Sequence, residues 1–183
     1  MHIIRTATTV LSPIALLAAL TACDGGSTPA PSATKPAASG AATLPAGLVS
    51  RGAVEGPGVG AAKATAKVGQ PITVVGRIGG SENPYVAGRA VFTIVDPSLK
   101  SCADAGDADH CATPWDYCCE SRESLKKNVA TIEIAGADGR PLPIAVRGLE
   151  GLDPLATIAV TGTVTEANDA GLLVIRATRI AVK

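Results

Sequence analysis

The residues best equipped for chemistry fall in one stretch, Cys102 to Cys119, which reads CADAGDADHCATPWDYCC. It holds four of the five cysteines, the only histidine past the N-terminal region (His110), the single tryptophan (Trp115) and one of two tyrosines (Tyr117). Four thiols can do three kinds of work. They can pair as disulfides, and an even number in an oxidising compartment makes that the default. Cys118 and Cys119 are adjacent and strained against bonding each other, so each is expected to bond outward, one to Cys102 and one to Cys111. Such bridges close loops of roughly 7 to 17 residues and stabilise by about 2–4 kcal/mol each. The alternative is a copper or zinc site, because thiolate and imidazole are soft-to-borderline ligands, with oxygens available from Asp109, Asp116 and Glu120. The spacing Cys-x8-Cys-x6-Cys-Cys contains no Cys-x2-Cys knuckle, which weighs against metal. It also lacks the Cys-x-x-Cys that thiol oxidoreductases place at a helix start. A Cys111/His110 nucleophile has no orienting third group, so no catalytic constellation emerges and no enzyme is expected. Trp115, Asp116 and Tyr117 form a candidate recognition patch, since aromatic residues anchor interfaces.

Which of these chemistries applies depends on the compartment, and the N-terminus supplies an address. Arg5 is followed by an apolar run from Val10 to Leu20 and a small-residue site, the three-part pattern of a secretory signal. Leu20-Thr21-Ala22-Cys23 resembles the lipobox of bacterial lipoproteins. The resemblance implies that residues 1–22 are removed and that Cys23 becomes the acylated first residue. The expected location is the bacterial cell envelope, facing the periplasm or the exterior, with the membrane as a partner through the lipid. Asp24 to about Thr43 is almost wholly Gly, Ser, Thr, Ala and Pro, too poor in apolar side chains to offset the entropy of ordering. Residues 23–66 are thus expected to be a flexible tether with a root-mean-square reach of roughly 35 Å, with partial packing left open for Leu44 to Lys67, which is Gly- and Ala-rich with scattered Leu and Val.

From residue 67 the pattern changes to short β-rich runs divided by Gly, Pro, Asp and Asn. The expected strands are Ile72–Ile78, Ala90–Val95, Val129–Ile134, Ile144–Arg147, Thr157–Thr165 and Leu172–Val182. Asp138-Gly139 and Asn168-Asp169-Ala170-Gly171 read as hairpin turns. In the last run Leu173, Ile175 and Ala177 share one parity and Ile180 and Val182 the other, which requires a bulge near Thr178-Arg179. Val74-Val75-Gly76-Arg77-Ile78 and Val160-Thr161-Gly162-Thr163-Val164 repeat a Val-x-Gly-x-(Ile/Val) pattern. A glycine inside a strand marks a sharp bend or a close approach of another backbone, and tightly coiled barrels need such bends. The arrangement resembles the OB-fold: an all-β, five- to six-stranded small barrel over 67–183, following the disordered N-terminal tether. A β-sandwich fits the same strand count. Residues 97–128 form a long insertion between the second and third strands, and Ser121 to Lys127 reads as a helical turn. Loops of this length are uncommon unless they are functional or stapled.

Thr113-Pro-Trp-Asp-Tyr-Cys-Cys119 resembles a segment of uncharacterised bacterial envelope lipoproteins with a similar barrel, a resemblance that implies no activity. The loop Gly79 to Tyr85 lies, in OB-folds, beside the ligand face, making Tyr85 a further candidate contact. Lys+Arg and Asp+Glu balance at 16 each and aromatics are only 2%, so neither the charge nor the stacking surface for nucleic acid is present. Arg77, Arg89, Arg147, Arg176 and Arg179 are expected on solvated faces or paired with Glu133 and Glu150. The functional expectation is a membrane-anchored, non-enzymatic binding or interaction module, its partner an envelope protein or a small ligand. No cofactor is expected on that reading; copper or zinc bound through Cys102–Cys119 is the alternative.

Overall fold

The computed structural model describes residues 43–105 and 111–183. The stretches expected to be a signal peptide and a tether, as far as residue 42, with Cys23, and also His110, lie outside the described residues.

In chain order the elements are β1 (Val49–Arg51), α1 (Val59–Thr65), β2 (Pro71–Ile78), β3 (Val91–Val95), α2 (Arg122–Asn128), β4 (Val129–Glu133), β5 (Thr157–Ala167) and β6 (Leu173–Val182), with a 3₁₀ turn at Leu149–Gly151. β2 pairs antiparallel with β3, β3 with β4, and β4 runs parallel to β6. β6 pairs antiparallel with β5, and β5 returns antiparallel to β2, so the sheet closes on itself. This is the five-stranded OB-like barrel, with β1 added parallel to the end of β6.

Closure follows from where the small residues fall. A Cβ on Gly162 would collide with the Arg176 carbonyl across the β5–β6 ladder, and one on Gly76 would stand 2.9 Å from the Ile94 side chain. These are the two glycines of the repeated pattern, and each lets a neighbouring strand come close where the sheet coils. The bulge is where the change of parity demands it: Thr161 pairs with Arg179 while Gly162 pairs with Ala177, leaving Thr178 as the extra residue. Inside, Val74, Ile78, Phe92, Ile94, Ile132, Ile158, Val160, Ile175 and Ile180 alternate with outward side chains and are fully buried. The buried cluster inside the barrel is aliphatic but for one phenylalanine, in keeping with the composition.

Two expectations are corrected. The folded unit does not begin at 67: Leu48, Val59 and Ala62 lie in the core, and Leu44 and Val49 pack against it. The stretch is rich in Gly and Ala, which can pack closely without a strong apolar signal. The proposed strand Ile144–Arg147 also fails to form. Pro141 and Pro143 remove two amide donors just before it, and Ile144 N–H donates to the Leu142 carbonyl (2.9 Å) instead of to a ladder. Only Val146 of that run is buried, beside Leu152 from the 3₁₀ turn that stands where OB barrels usually carry a helix.

Candidate functional site

The insertion leaves β3 through Asp96-Pro97 and returns through α2. Its two arms are stitched by backbone bonds, Cys102 N–H to the Asp116 carbonyl (2.8 Å) and Ala103 N–H to the Pro114 carbonyl (3.0 Å). The Asp104 carboxylate accepts from the Ser101 amide (3.0 Å) and hydroxyl (2.7 Å) and pairs with Arg77 of β2, tying the near arm to the barrel. The Ser101 hydroxyl first, then Arg77, holds the Asp104 carboxyl below the usual range. This is the single ion pair among the described residues, so the expected pairing of arginines with Glu133 and Glu150 is not what the barrel uses. The helix that closes the insertion starts at Ser121, whose hydroxyl caps the Ser124 amide (3.0 Å).

Within this frame the cysteines gather. Cys102 is buried, with its Sγ 3.3 Å from Cys118 Sγ, and Cys118 Sγ is 4.0 Å from Cys119 Sγ. Cys111 lies with its sulfur 3.4 Å from the Thr113 carbonyl oxygen. Burial, then the Cys118 thiol, pushes the Cys102 thiol up to about 12, while backbone hydrogen bonding at Thr113 and then Cys102 hold Cys111 below the ordinary thiol value. Cys118 and Cys119 are exposed. Among the described residues no group of three or more His, Cys, Asp or Glu is arranged around a common metal position.

The aromatic candidates separate. Tyr117 is fully buried, and its hydroxyl has no hydrogen-bond partner among the described residues. Burial raises its pKa, with Arg77 opposing. It packs under Gly79, where any Cβ would strike the Trp115 carbonyl and the Tyr117 ring. Tyr117 therefore anchors the insertion to the β2–β3 loop and is not a surface contact. Asp116 turns back on its own segment, accepting from the Tyr117 amide (2.7 Å).

Trp115 points the other way. Its indole N–H donates to the Glu82 carbonyl (3.0 Å), and the Arg147 guanidinium carbon lies 4.8 Å from the centre of its ring. The same guanidinium stands 5.9 Å from the Tyr85 ring, and the Tyr85 hydroxyl donates to the Leu152 carbonyl (3.0 Å). Trp115 of the insertion, Tyr85 of the β2–β3 loop and Arg147 of the β4–β5 connection thus form one stacked group. Two of the three are recognition candidates from the sequence. Arg147 was expected on a strand and carries no local signal of its role; it follows Val146, whose burial fixes the loop that presents it.

Clefts open elsewhere among the described residues. One of about 560 Å3 opens between α1 and α2 and is lined by Gly60, Lys63, Glu123, Lys126, Asn128 and Asp169. A shallower one of about 440 Å3 runs between α2 and the β5–β6 loop, lined by Gly80, Leu125, Val129, Thr131 and Leu172. Neither includes a cysteine or Trp115. No known protein family, curated protein or solved structure matches this chain.

Proposed function

We propose that this protein is a lipid-anchored module of the bacterial cell envelope that binds a partner without transforming it, through the face carrying Trp115, Arg147 and Tyr85. The observation that carries this reading is the meeting of two aromatic rings from separate loops around one exposed guanidinium. A stacked arginine is pre-oriented and keeps its N–H groups free for a carboxylate, a phosphate or a carbonyl. Aromatic and arginine side chains also concentrate binding energy at interfaces. The anchor rests on Leu20-Thr21-Ala22-Cys23, and a Cys23→Ala chain that still partitioned into detergent like the natural one would remove it.

The test of the binding face is photo-crosslinking in the native membrane. A photoreactive phenylalanine analogue replaces Trp115 in one protein and Asp169 of the β5–β6 loop in another. A discrete adduct is expected from position 115 that weakens when Arg147→Ala is added and is missing from position 169. No adduct from 115, or the same adducts from both positions, defeats the reading.

The copper or zinc alternative uses Cys102, Cys111, Cys118 and Cys119, with His110 outside the described residues. Two sulfurs on one tetrahedral zinc, each at about 2.3 Å, stand about 3.8 Å apart. The 3.3 Å between Cys102 and Cys118 falls between that spacing and the about 2.05 Å of a disulfide bond. Elemental analysis of the isolated protein beside a count of its free thiols separates the two. Stoichiometric metal with free thiols establishes the metal site, and oxidised thiols without metal establish the staple.

A further inference from the structure

We propose that Cys102 and Cys118 form a disulfide that closes the insertion into a ring and locks Trp115 onto the barrel. The four cysteines allow several pairings, and the packing selects among them. Cys102 is 2% exposed, and its Sγ lies 3.3 Å from Cys118 Sγ. The Cys111 sulfur is turned on Thr113, 3.4 Å from its carbonyl oxygen and 3.9 Å from its hydroxyl. The Cys119 sulfur meets that of its chain neighbour Cys118 at 4.0 Å, and a bond between adjacent cysteines strains the geometry that a disulfide needs. A disulfide brings two sulfurs to about 2.05 Å, so Cys102 and Cys118 need an approach of little more than an ångström. The backbone already holds their two arms together, with Cys102 N–H on the Asp116 carbonyl (2.8 Å) and Ala103 N–H on the Pro114 carbonyl (3.0 Å). Among the described residues no third ligand converges with them on a metal position, which leaves two sulfurs to react with each other. The pairing rests on this packing alone and stands whether or not Trp115 contacts a partner.

The bond forms when the Cys102 and Cys118 thiols give two electrons and two protons to an external disulfide, which is reduced to two thiols. Once formed, it resists the reverse step. A reducing thiolate from solvent reaches Cys118, which is exposed, and not Cys102, which is buried. Attack at Cys118 breaks the bridge and expels Cys102 as a thiolate, carrying the electron pair into a buried site. A charge there lacks solvation, and a poor leaving group slows exchange. The bridge is thus a lasting staple whose reduction waits on opening of the insertion.

The ring joins two separate anchors. The near arm is tied to β2 through Ser101, Asp104 and Arg77. The far arm is tied by Tyr117 beneath Gly79 and by Trp115, whose indole donates to the Glu82 carbonyl (3.0 Å) and whose ring carries the Arg147 guanidinium. Without the bridge each arm depends on its own contacts. With it, an arm that lets go stays close to its seat, because linking positions sixteen apart limits the freedom of the chain between them. Trp115 lies inside that ring.

The experiment uses the full-length protein, isolated in detergent without reductant and alkylated before digestion. Cleavage before aspartates separates Cys102, Cys111 and the Cys118-Cys119 pair into three fragments, because Asp104, Asp109 and Asp116 lie between them. The Cys102 fragment is expected to be joined to the third, with electron-transfer fragmentation placing the bond on Cys118. Reduction by dithiothreitol is expected to be at least about tenfold slower in the folded protein than in concentrated urea. Once the bridge is reduced, acrylamide should quench the single tryptophan more strongly than before. Cys118→Ser should lose the link and show the same stronger quenching, whereas Cys119→Ser should keep the link and quench as the wild type does. If a variant fails to fold, the wild-type map, reduction rates and quenching decide alone. Cys102 joined to Cys111 or Cys119, Cys102 recovered as a thiol, equal reduction rates, or quenching indifferent to reduction overturns the proposal.

Discussion

A methyl group at position 162 is the smallest change the barrel should refuse. In Gly162→Ala the new carbon presses on the Arg176 carbonyl, a ladder group that cannot rotate away. Overpacking of this kind costs about 3 kcal/mol or more. Gly76→Ala meets the Ile94 side chain at 2.9 Å and the Val95 carbonyl at 3.0 Å, a less severe overlap than at Gly162, so its cost should be the smaller. Urea melts of both variants check the order, and a Gly162→Ala protein as stable as wild type would mean that the strands do not approach there as described. Arg147→Ala should behave oppositely. Exposed cation–π contacts contribute only about 0.5–1 kcal/mol, so the melt should barely move while Trp115 fluorescence changes. A loss of several kcal/mol would make Arg147 a structural residue and not a display residue. At this scale the sequence was readable where a residue broke a local rule. A glycine in the middle of a strand has few explanations, and the repeat at 76 and 162 pointed to the coil of the sheet. Trp115-Asp116-Tyr117 was not resolved into its parts, because a turn sends adjacent side chains to opposite sides and nothing in the three letters says which is which. Arg147 was invisible because its partners come from two other loops.

Elements in this protein are held by side chains that reach across from other elements. α1 and α2 have seven residues each, well short of the length at which an isolated helix persists. Asp96, at the end of β3, accepts from the Gly60 amide at the start of α1 (2.8 Å) and from the Ser98 amide (2.9 Å). Lys63 of α1 donates to the Lys126 (2.8 Å) and Val129 (2.6 Å) carbonyls at the end of α2, where a cation also suits the helix dipole. Burial works to raise the Asp96 pKa, but the bonds from Ser98 and Gly60 outweigh it and the carboxyl sits below its ordinary value. With the folded pKa below the unfolded one, its contribution is present above about pH 4 and disappears as pH falls through the folded value. Asp96→Asn keeps an acceptor oxygen but loses the charge, so it should cost about 1 kcal/mol at pH 7, the difference between charge-assisted and neutral hydrogen bonds, and progressively less below pH 4. Denaturant titrations at pH 7 and pH 3 test this, and an unchanged gap between the two proteins at pH 3 would show that charge is not what Asp96 supplies. The strands themselves were legible through alternation and hairpin turns. β1 and α1 were not, because three residues form no pattern and Val-Gly-Ala-Ala-Lys-Ala-Thr has too little apolar contrast to show a helical face. Ile144–Arg147 misled for the converse reason: its β-forming side chains follow prolines that deny it a ladder.

At the scale of the whole molecule, barrel, insertion and N-terminal segment depend on one another. Strand order and closure could be anticipated because each barrel strand carried its own signal and its own turn. The reach of the folded unit could not, since the residues before Val68 add to the core through a few side chains spread along a Gly- and Ala-rich stretch. Leu48, Val59 and Ala62 are buried, β1 lies along the end of β6, and the Pro57 carbonyl accepts from the Val75 amide of β2 (2.8 Å). Without this segment the upper part of β6 would present an unpaired edge, a site that invites association with other chains. Burying one leucine and one valine side chain contributes about 1.5–3 kcal/mol each. The segment as a whole is thus worth on the order of 5 kcal/mol, comparable to the entire margin by which small domains are stable. Two shortened chains make the point testable. One beginning at Thr43 keeps β1 and α1 and should melt with the full-length protein. One beginning at Val68, the boundary that composition alone suggests, should melt far lower, expose its aliphatic core to a hydrophobic dye and self-associate. Equal melting temperatures for the two would mean that β1 and α1 merely rest on a barrel complete without them. A marked difference would place the start of the domain before β1 and leave the residues ahead of Thr43 outside the folded unit.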